Sequence, residues 1–149
     1  MKRDAFNITG ILVRTSNKDL ICEKDIGALW QRFFSENIME QIPNKVGTEI
    51  YSVYTDYEGD HTAPYSVIIG CKVSHLKEVP EGMVGKEIPA GDYSSHLAKG
   101  SIPDGAIGDA WKKIWEADLD RAYTADYEIY GPNAQNPHDA EVEIQIALK

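Results

Sequence analysis

Apolar residues recur along this chain with two periods, near two residues and near 3.6, and the switches between them mark the elements. Phe6 to Arg14 (FNITGILVR) is rich in β-branched and apolar residues and predicts a first strand. Ile26, Leu29, Trp30, Phe33, Phe34 and Ile38 then fall at i, i+3, i+4, i+7, i+8 and i+12, the one-sided stripe of an amphipathic helix. Pro43 cannot continue that helix, which ends near Asn37 to Gln41. Glu49 to Tyr57 and Tyr65 to Val73 read as strands joined by a turn-forming run, Glu58 to Pro64. In the second half, Gly82 to Ile88 and Asp92 to Ala98 form a first strand broken at Pro89-Ala90-Gly91. Ser101-Ile102-Pro103-Asp104 starts a helix with Ile107, Ala110, Trp111, Ile114 and Trp115 on its stripe. Ala125 to Tyr130 and Ala140 to Leu148 close the half as strands, with Val142, Ile144, Ile146 and Leu148 alternating in the last.

The order strand, helix, strand, strand thus occurs twice, and so do its residues. Ile26-Gly27-Ala28-Leu29-Trp30 through Phe34 returns 81 residues on as Ile107-Gly108-Asp109-Ala110-Trp111 through Trp115. Glu49-Ile50-Tyr51 returns at an interval of 79 as Glu128-Ile129-Tyr130, and the strand of Tyr65 to Cys71 has its counterpart in Glu141 to Ala147. Three matched blocks in one order indicate a duplicated unit. The fold class is α+β: two pseudo-symmetric strand–helix–strand–strand repeats forming one antiparallel sheet with helices on one side. The chain reads as a single domain, 1–149, with halves of approximately 1–76 and 77–149, and the seam between them is the place for a ligand pocket.

A net charge of −9 and a pI of 4.8 run against the basic footprint of direct nucleic-acid binding and suit cationic ligands. No stretch reaches the roughly 18 apolar residues of a membrane span, and no apolar signal core follows Met1 to Asp4, so the expected location is cytoplasmic, with no membrane contact. Cys22 and Cys71 are too few and too far apart for a metal knuckle or a redox pair. His61, His75, His96 and His138 form none of the zinc spacings, and Asp56, Glu58 and Asp60 before His61 lack the glycine and the twelfth-position acid of a calcium loop, so this run is a solvated turn. Gly85-Lys86 lacks the leading glycine of a phosphate loop, and no GxSxG elbow is present. No metal and no cofactor is expected.

What remains is aromatic and acidic. Phe33 and Phe34 read as core. Trp111 and Trp115, two indoles one helical turn apart, each need a partner for an N–H and fit the wall of a flat ligand site. In Glu49-Ile50-Tyr51-Ser52-Val53, Glu49, Tyr51 and Val53 share one face, and Val53 suggests that this face is covered; the repeat would turn Glu128 and Tyr130 the same way. Glu49 is read as pointing to water at a strand end, whereas Glu128 is either an inward functional acid or a second solvated one. An inward acid ringed by Tyr and Trp is the arrangement that recognises a lipophilic cation.

The segments IYSVYTDYEGDHTAPYSVIIGCKV, GDYSSHLAKG and YEIYGPNAQNPHDAEVEIQIAL, in this order and spacing, resemble the gyrase-inhibitor-like (GyrI-like) small-molecule-binding domain, closest to its stand-alone, integron-cassette-type branch. The domain is the effector-binding module of multidrug-responsive transcription activators. The resemblance implies a seam pocket for amphipathic or cationic aromatic compounds, with the pocket acid at Glu128 in an acid–x–Tyr pattern ending at Tyr130, and aromatic walls at Trp111, Trp115, Tyr51 and Tyr93. It implies drug or toxin sensing or sequestration first. The alternatives are hydrolysis of cyclopropane-bearing DNA-alkylating compounds, with Glu128 activating water, and inhibition or regulation through a protein partner. The chain starts directly at the module's first strand, so any role in transcription regulation is expected to run through such a partner.

Overall fold

In the computed structural model, which describes residues 2–18, 21–59 and 63–149, the described residues form one antiparallel sheet with three α-helices on one face. The strands are β1 (Lys2–Arg3), β2 (Phe6–Thr15), β3 (Ile50–Thr55), β4 (Tyr65–Val73), β5 (Val84–Ile88), β6 (Gly91–Gly100), β7 (Ala125–Tyr130) and β8 (Ala140–Ala147). The helices are α1 (Ile21–Ser35), α2 (Ile38–Gln41) and α3 (Ala106–Glu116). Strand order is β1-β6-β8-β7-β3-β4-β2-β5, which is unchanged when the two halves are exchanged. At its centre Ile50 faces Tyr130, Ser52 faces Glu128 and Tyr54 faces Asp126. A pseudo-two-fold axis therefore passes between Ser52 and Glu128, and it makes Tyr54 of β3 the equivalent of Tyr130 of β7.

The strand read as broken at Pro89-Ala90-Gly91 is two strands with different neighbours. Val84–Ile88 pairs with β2 on the first half's edge, and Gly91–Gly100 pairs with β8. Lys2–Arg3 does the reciprocal thing by pairing with β6. Each half lends its leading strand to the other, and Pro89, with no N–H to donate, ends β5 at the crossing. The helix boundaries shift for local reasons as well. Asn37, at φ 51°, divides α1 from the short α2. Gly105, at φ 97°, starts α3 later than the sequence suggests and leaves Pro103 and Asp104 in the turn before it. Asp60, His61 and Thr62 of the expected turn lie outside the described residues.

Side-chain alternation gives the sheet two packed faces. On one, Leu29 and Phe33 of α1 cover Ile11, Val67 and Ile69, while Trp111 and Ile114 of α3 cover Val142, Ile144 and Ile146. The other face is closed by the curl of the sheet itself: Phe6 of β2 and Tyr93 of β6 both reach Tyr127 of β7, at 5.1 and 5.6 Å between ring centroids. A glycine pair lets β2 and β4 approach closely. Gly10 stands opposite Gly70, and a Cβ on Gly10 would lie 2.1 Å from the Ile69 carbonyl oxygen, one on Gly70 2.0 Å from that of Thr9. No described helix is long and apolar enough to cross a membrane.

Gly10→Ala and Gly70→Ala should each destabilise the fold by about 1–3 kcal/mol or more, because the clash is with backbone that cannot turn aside. Gly27→Ala and Gly108→Ala, on helices with nothing within 4 Å of the added Cβ, should instead be stabilising by about 0.5–1 kcal/mol. Urea denaturation of the four variants checks both signs.

Candidate functional site

Glu128 sits on the helix-covered face at the pseudo-two-fold axis, with 1% of its surface exposed. Tyr130 lies two residues along β7, and Tyr54 lies two residues along β3 from Ser52, the residue opposite Glu128; the strands run antiparallel, so the tyrosines flank the acid on opposite sides. Both hydroxyls donate to it, Tyr130 to Oε1 at 2.6 Å and Tyr54 to Oε2 at 2.8 Å. Trp111 descends from the α3 stripe and gives its Nε1–H to Oε2 at 2.6 Å.

All three donors are neutral, and none of the ion pairs among the described residues involves Glu128. Burial pushes the Glu128 carboxyl above its ordinary value, and the hydrogen bonds from Tyr130, Trp111 and Tyr54 offset part of the rise. The Tyr54 and Tyr130 hydroxyls are held well above their usual range, first by burial and then by the adjacent carboxylate charge. Asp126, on the same face and equally buried, has the opposite arrangement: Arg121 pairs with it at 2.8 Å, Tyr57 donates at 2.5 Å and the Ala147 backbone N–H at 2.8 Å. Asp126 is neutralised within the protein. Glu128 has no counter-charge among the described residues.

Beside this cage lies a cavity of about 730 Å³ walled by Trp30 and Phe34 of α1, Met39 of α2, Ile50 of β3, Tyr130 and the segment Gly131 to Pro137. The Trp30 ring meets Tyr130 edge-on at 4.9 Å, and Phe34 stacks on Trp30 at 5.8 Å and 22°. The axis repeats the first contact on the other side, where Trp111 meets Tyr54 edge-on at 5.0 Å. On that side the Trp111 indole N–H is bonded to the acid. The Tyr130 side opens into the cavity, with the phenol ring standing between the cavity and Glu128.

A family model described as an integron-associated effector binding protein, Cass2, matches residues 1–148. The chain belongs to the Cass2 family. It is 30% identical to the crystal structure of an integron cassette protein from the mobile metagenome of Vibrio cholerae, at a TM-score of 0.78 covering 100% of this chain and 94% of that one. It is also 26% identical over 150 residues to the putative transcriptional regulator protein YobU of Bacillus subtilis, covering 98% of this chain and 94% of YobU. The structure of SAV2435 bound to tetraphenylphosphonium shares the fold at a TM-score of 0.79 and 16% identity, covering 100% of this chain and 92% of that one.

Within this Cass2 fold the sequence-selected residues divide into two sets. Glu128, Trp111 and Tyr130 are brought together. Tyr51 and Tyr93 lie on the opposite face, where both rings approach Tyr127, at 6.0 and 5.6 Å. Trp115, 40% exposed, is at the end of α3 outside the cavity wall. The expectation that Glu128 and Tyr130 share a face with Tyr51 and Val53 is corrected by the strand register. Ser52, not Tyr51, stands opposite Glu128; equivalents across the axis are separated by 76 residues, and the odd interval of 79 between the two Glu-Ile-Tyr copies places them on opposite faces. Phe33 is core at 1% exposure, but Phe34, also read as core, is 60% exposed and lines the cavity. Tyr54 and Trp30 complete the site without having been singled out. Projecting Trp111 back through the helix repeat leads to Trp30. Among the described residues no His, Cys, Asp and Glu group is arranged to hold a metal ion.

The raised Glu128 value fixes the sign of a pH effect. Stability associated with the neutral acid is fully present below the unfolded value near 4.5 and is lost as pH rises through the folded value. In Glu128→Gln the amide oxygen can accept from Tyr54 and Trp111 while the NH₂ donates to the Tyr130 oxygen, so the cage is kept without the charge. The melting temperature of the variant relative to wild type should rise as pH increases above about 4.5 and level off once the folded carboxyl has ionised. A difference independent of pH would show that Glu128 ionises without cost to the fold.

Proposed function

We propose that this chain is an effector-binding protein for lipophilic aromatic cations, taken up in the cavity between α1, α2 and the segment 131–137, and that it serves drug or toxin sensing or sequestration. One observation carries the reading: a fully buried carboxylate with only neutral donors lies behind one wall of an aromatic-lined cavity. Such an acid leaves the cavity electrically negative, and ring faces add to the attraction for a positive ligand. The cavity is of the size that small-molecule sites occupy, roughly 300–1,000 Å³. The net charge of −9 favours the same ligands over anions. Membership of an effector-binding family and the tetraphenylphosphonium bound to SAV2435 support the assignment.

In this reading Trp30, Phe34 and Tyr130 contact the ligand, while Glu128, Trp111 and Tyr54 set the field and hold Tyr130 in place. Tyr51, Tyr93 and Trp115 do not border the cavity. A regulatory role, suggested by the name of YobU, would run through a protein partner rather than direct nucleic-acid contact. Hydrolysis ranks below binding, because both Glu128 oxygens are engaged and the acid is not part of the cavity wall.

Tetraphenylphosphonium or a cationic dye should quench tryptophan emission with micromolar-class affinity, and anionic dyes of like shape should not. Phe34→Ala should weaken that binding with little loss of stability, since its ring is largely exposed. Phe33→Ala should do the reverse, at a cost of about 3–5 kcal/mol to the fold. Binding isotherms beside denaturant titrations separate the two, and normal cation affinity in Phe34→Ala rejects this cavity as the site. Mass analysis of the recovered ligand distinguishes a receptor, which returns it unchanged, from a hydrolase.

A further inference from the structure

We propose that Glu128 acts on the bound cation through the ring of Tyr130 and not by contact, so that the cavity selects cations without N–H groups, such as quaternary ammonium or phosphonium ions, over protonated amines. This rests on the cavity being the effector site. A carboxylate offers about four lone-pair positions. Here Tyr54 and Trp111 occupy Oε2, Tyr130 occupies Oε1, and the remainder is sealed at 1% exposure behind the phenol ring. A ligand ammonium cannot reach an oxygen of Glu128 while that ring is in place.

The hydrogen bond that blocks contact transmits charge. A phenol donating at 2.6 Å to a carboxylate is polarised, and electron density moves onto the ring that forms the cavity wall. Trp30, edge-on to Tyr130, presents a second ring to the same space. The wall is therefore attractive to positive charge but poor in acceptors: besides the Tyr130 hydroxyl, which is committed to Glu128, its acceptor-bearing side chains are Thr48 and Gln135. A protonated primary amine brings three donors, and each left without a partner is costly to bury. A trimethylammonium group carries the same charge sheathed in methyls and loses nothing of this kind.

The test compares biphenyl-4-ylmethyl-trimethylammonium with biphenyl-4-ylmethylammonium, which share one aromatic body and one charge at pH 7, by calorimetry on wild type, Tyr130→Phe and Glu128→Gln. Wild type should prefer the quaternary ion by about tenfold. Tyr130→Phe keeps the shape of the wall, loses the polarised ring and frees a lone pair on Oε1. It should weaken the quaternary ion about three- to tenfold and narrow its advantage over the primary amine. A variant that binds the quaternary ion as well as or better than wild type overturns the proposal, because the ring would then only have obstructed a direct contact. Should circular dichroism show Tyr130→Phe unfolded, Glu128→Gln decides alone: an about three- to tenfold loss for the quaternary ion with the primary amine weakened no more than that supports action without contact, and unchanged quaternary affinity or a larger loss for the primary amine overturns it. Failure of both probes to bind wild type is a different result, and it rejects the cavity as a cation site.

Discussion

A carboxylate buried without a counter-ion is tolerable only if neutral donors converge on it, and at Glu128 those donors come from both halves of the molecule. Tyr130 belongs to its own strand, Tyr54 to the neighbouring strand of the other half, and Trp111 to the helix above. The pairing of β3 with β7 is what places the two tyrosines on either side of the acid, so the register of the central strand pair and the chemistry of the cage are one constraint. The tyrosine that satisfies the acid is also the one that walls the cavity. In the proposed reading folding and recognition therefore share a side chain, and the hydrogen bonds that hold the cage closed fix the orientation of the cavity wall.

The contrast with Asp126 shows why only one of the two buried acids among the described residues lies behind a cavity wall with its charge unpaired. Asp126 has a guanidinium, a phenol and a backbone amide, and Arg121 also lies 4.4 Å from the Tyr123 ring. Its charge is cancelled at a distance of one hydrogen bond, leaving a structural pair that ties the start of β7 to the segment before it. At Glu128 the charge is stabilised but not cancelled. Two acids two residues apart on the same face thus have different electrostatic reach because of what surrounds each.

Much of this architecture is legible in the sequence. The period-two runs give the main strands, the two stripes give α1 and α3, and the duplicated Trp30 and Trp111 give the pseudo-symmetry. Glu128, Tyr130 and Trp111 stand out because an acid and an indole among apolar neighbours need partners. The face assignment was not legible, because local repeats do not encode register: Glu-Ile-Tyr occurs twice, but Ser52 and not Glu49 is the partner position of Glu128. Phe34 shows the same limit for a helix. Its place in the stripe is one turn from Trp30, yet burial stops at Leu29 and Phe33, and only the location of α2 and the segment after β7 decides that the stripe's flank borders a cavity. The exchanged edge strands, β1 and β5, are set by pairing between distant parts of the chain, which no local pattern carries.

The axis between Ser52 and Glu128 has a consequence for ancestry. Two identical copies assembled about that axis would place the same residue on both sides of it, giving either two glutamates face to face at cross-strand distance or two serines and no acid. The first repels itself and would share a proton, and the second has no field to offer. Joining the repeats in one polypeptide releases the two positions to diverge, and a lone acid on the axis becomes possible. The lone acid on the axis is thus a property that a homodimeric ancestor with the same fold could not have possessed.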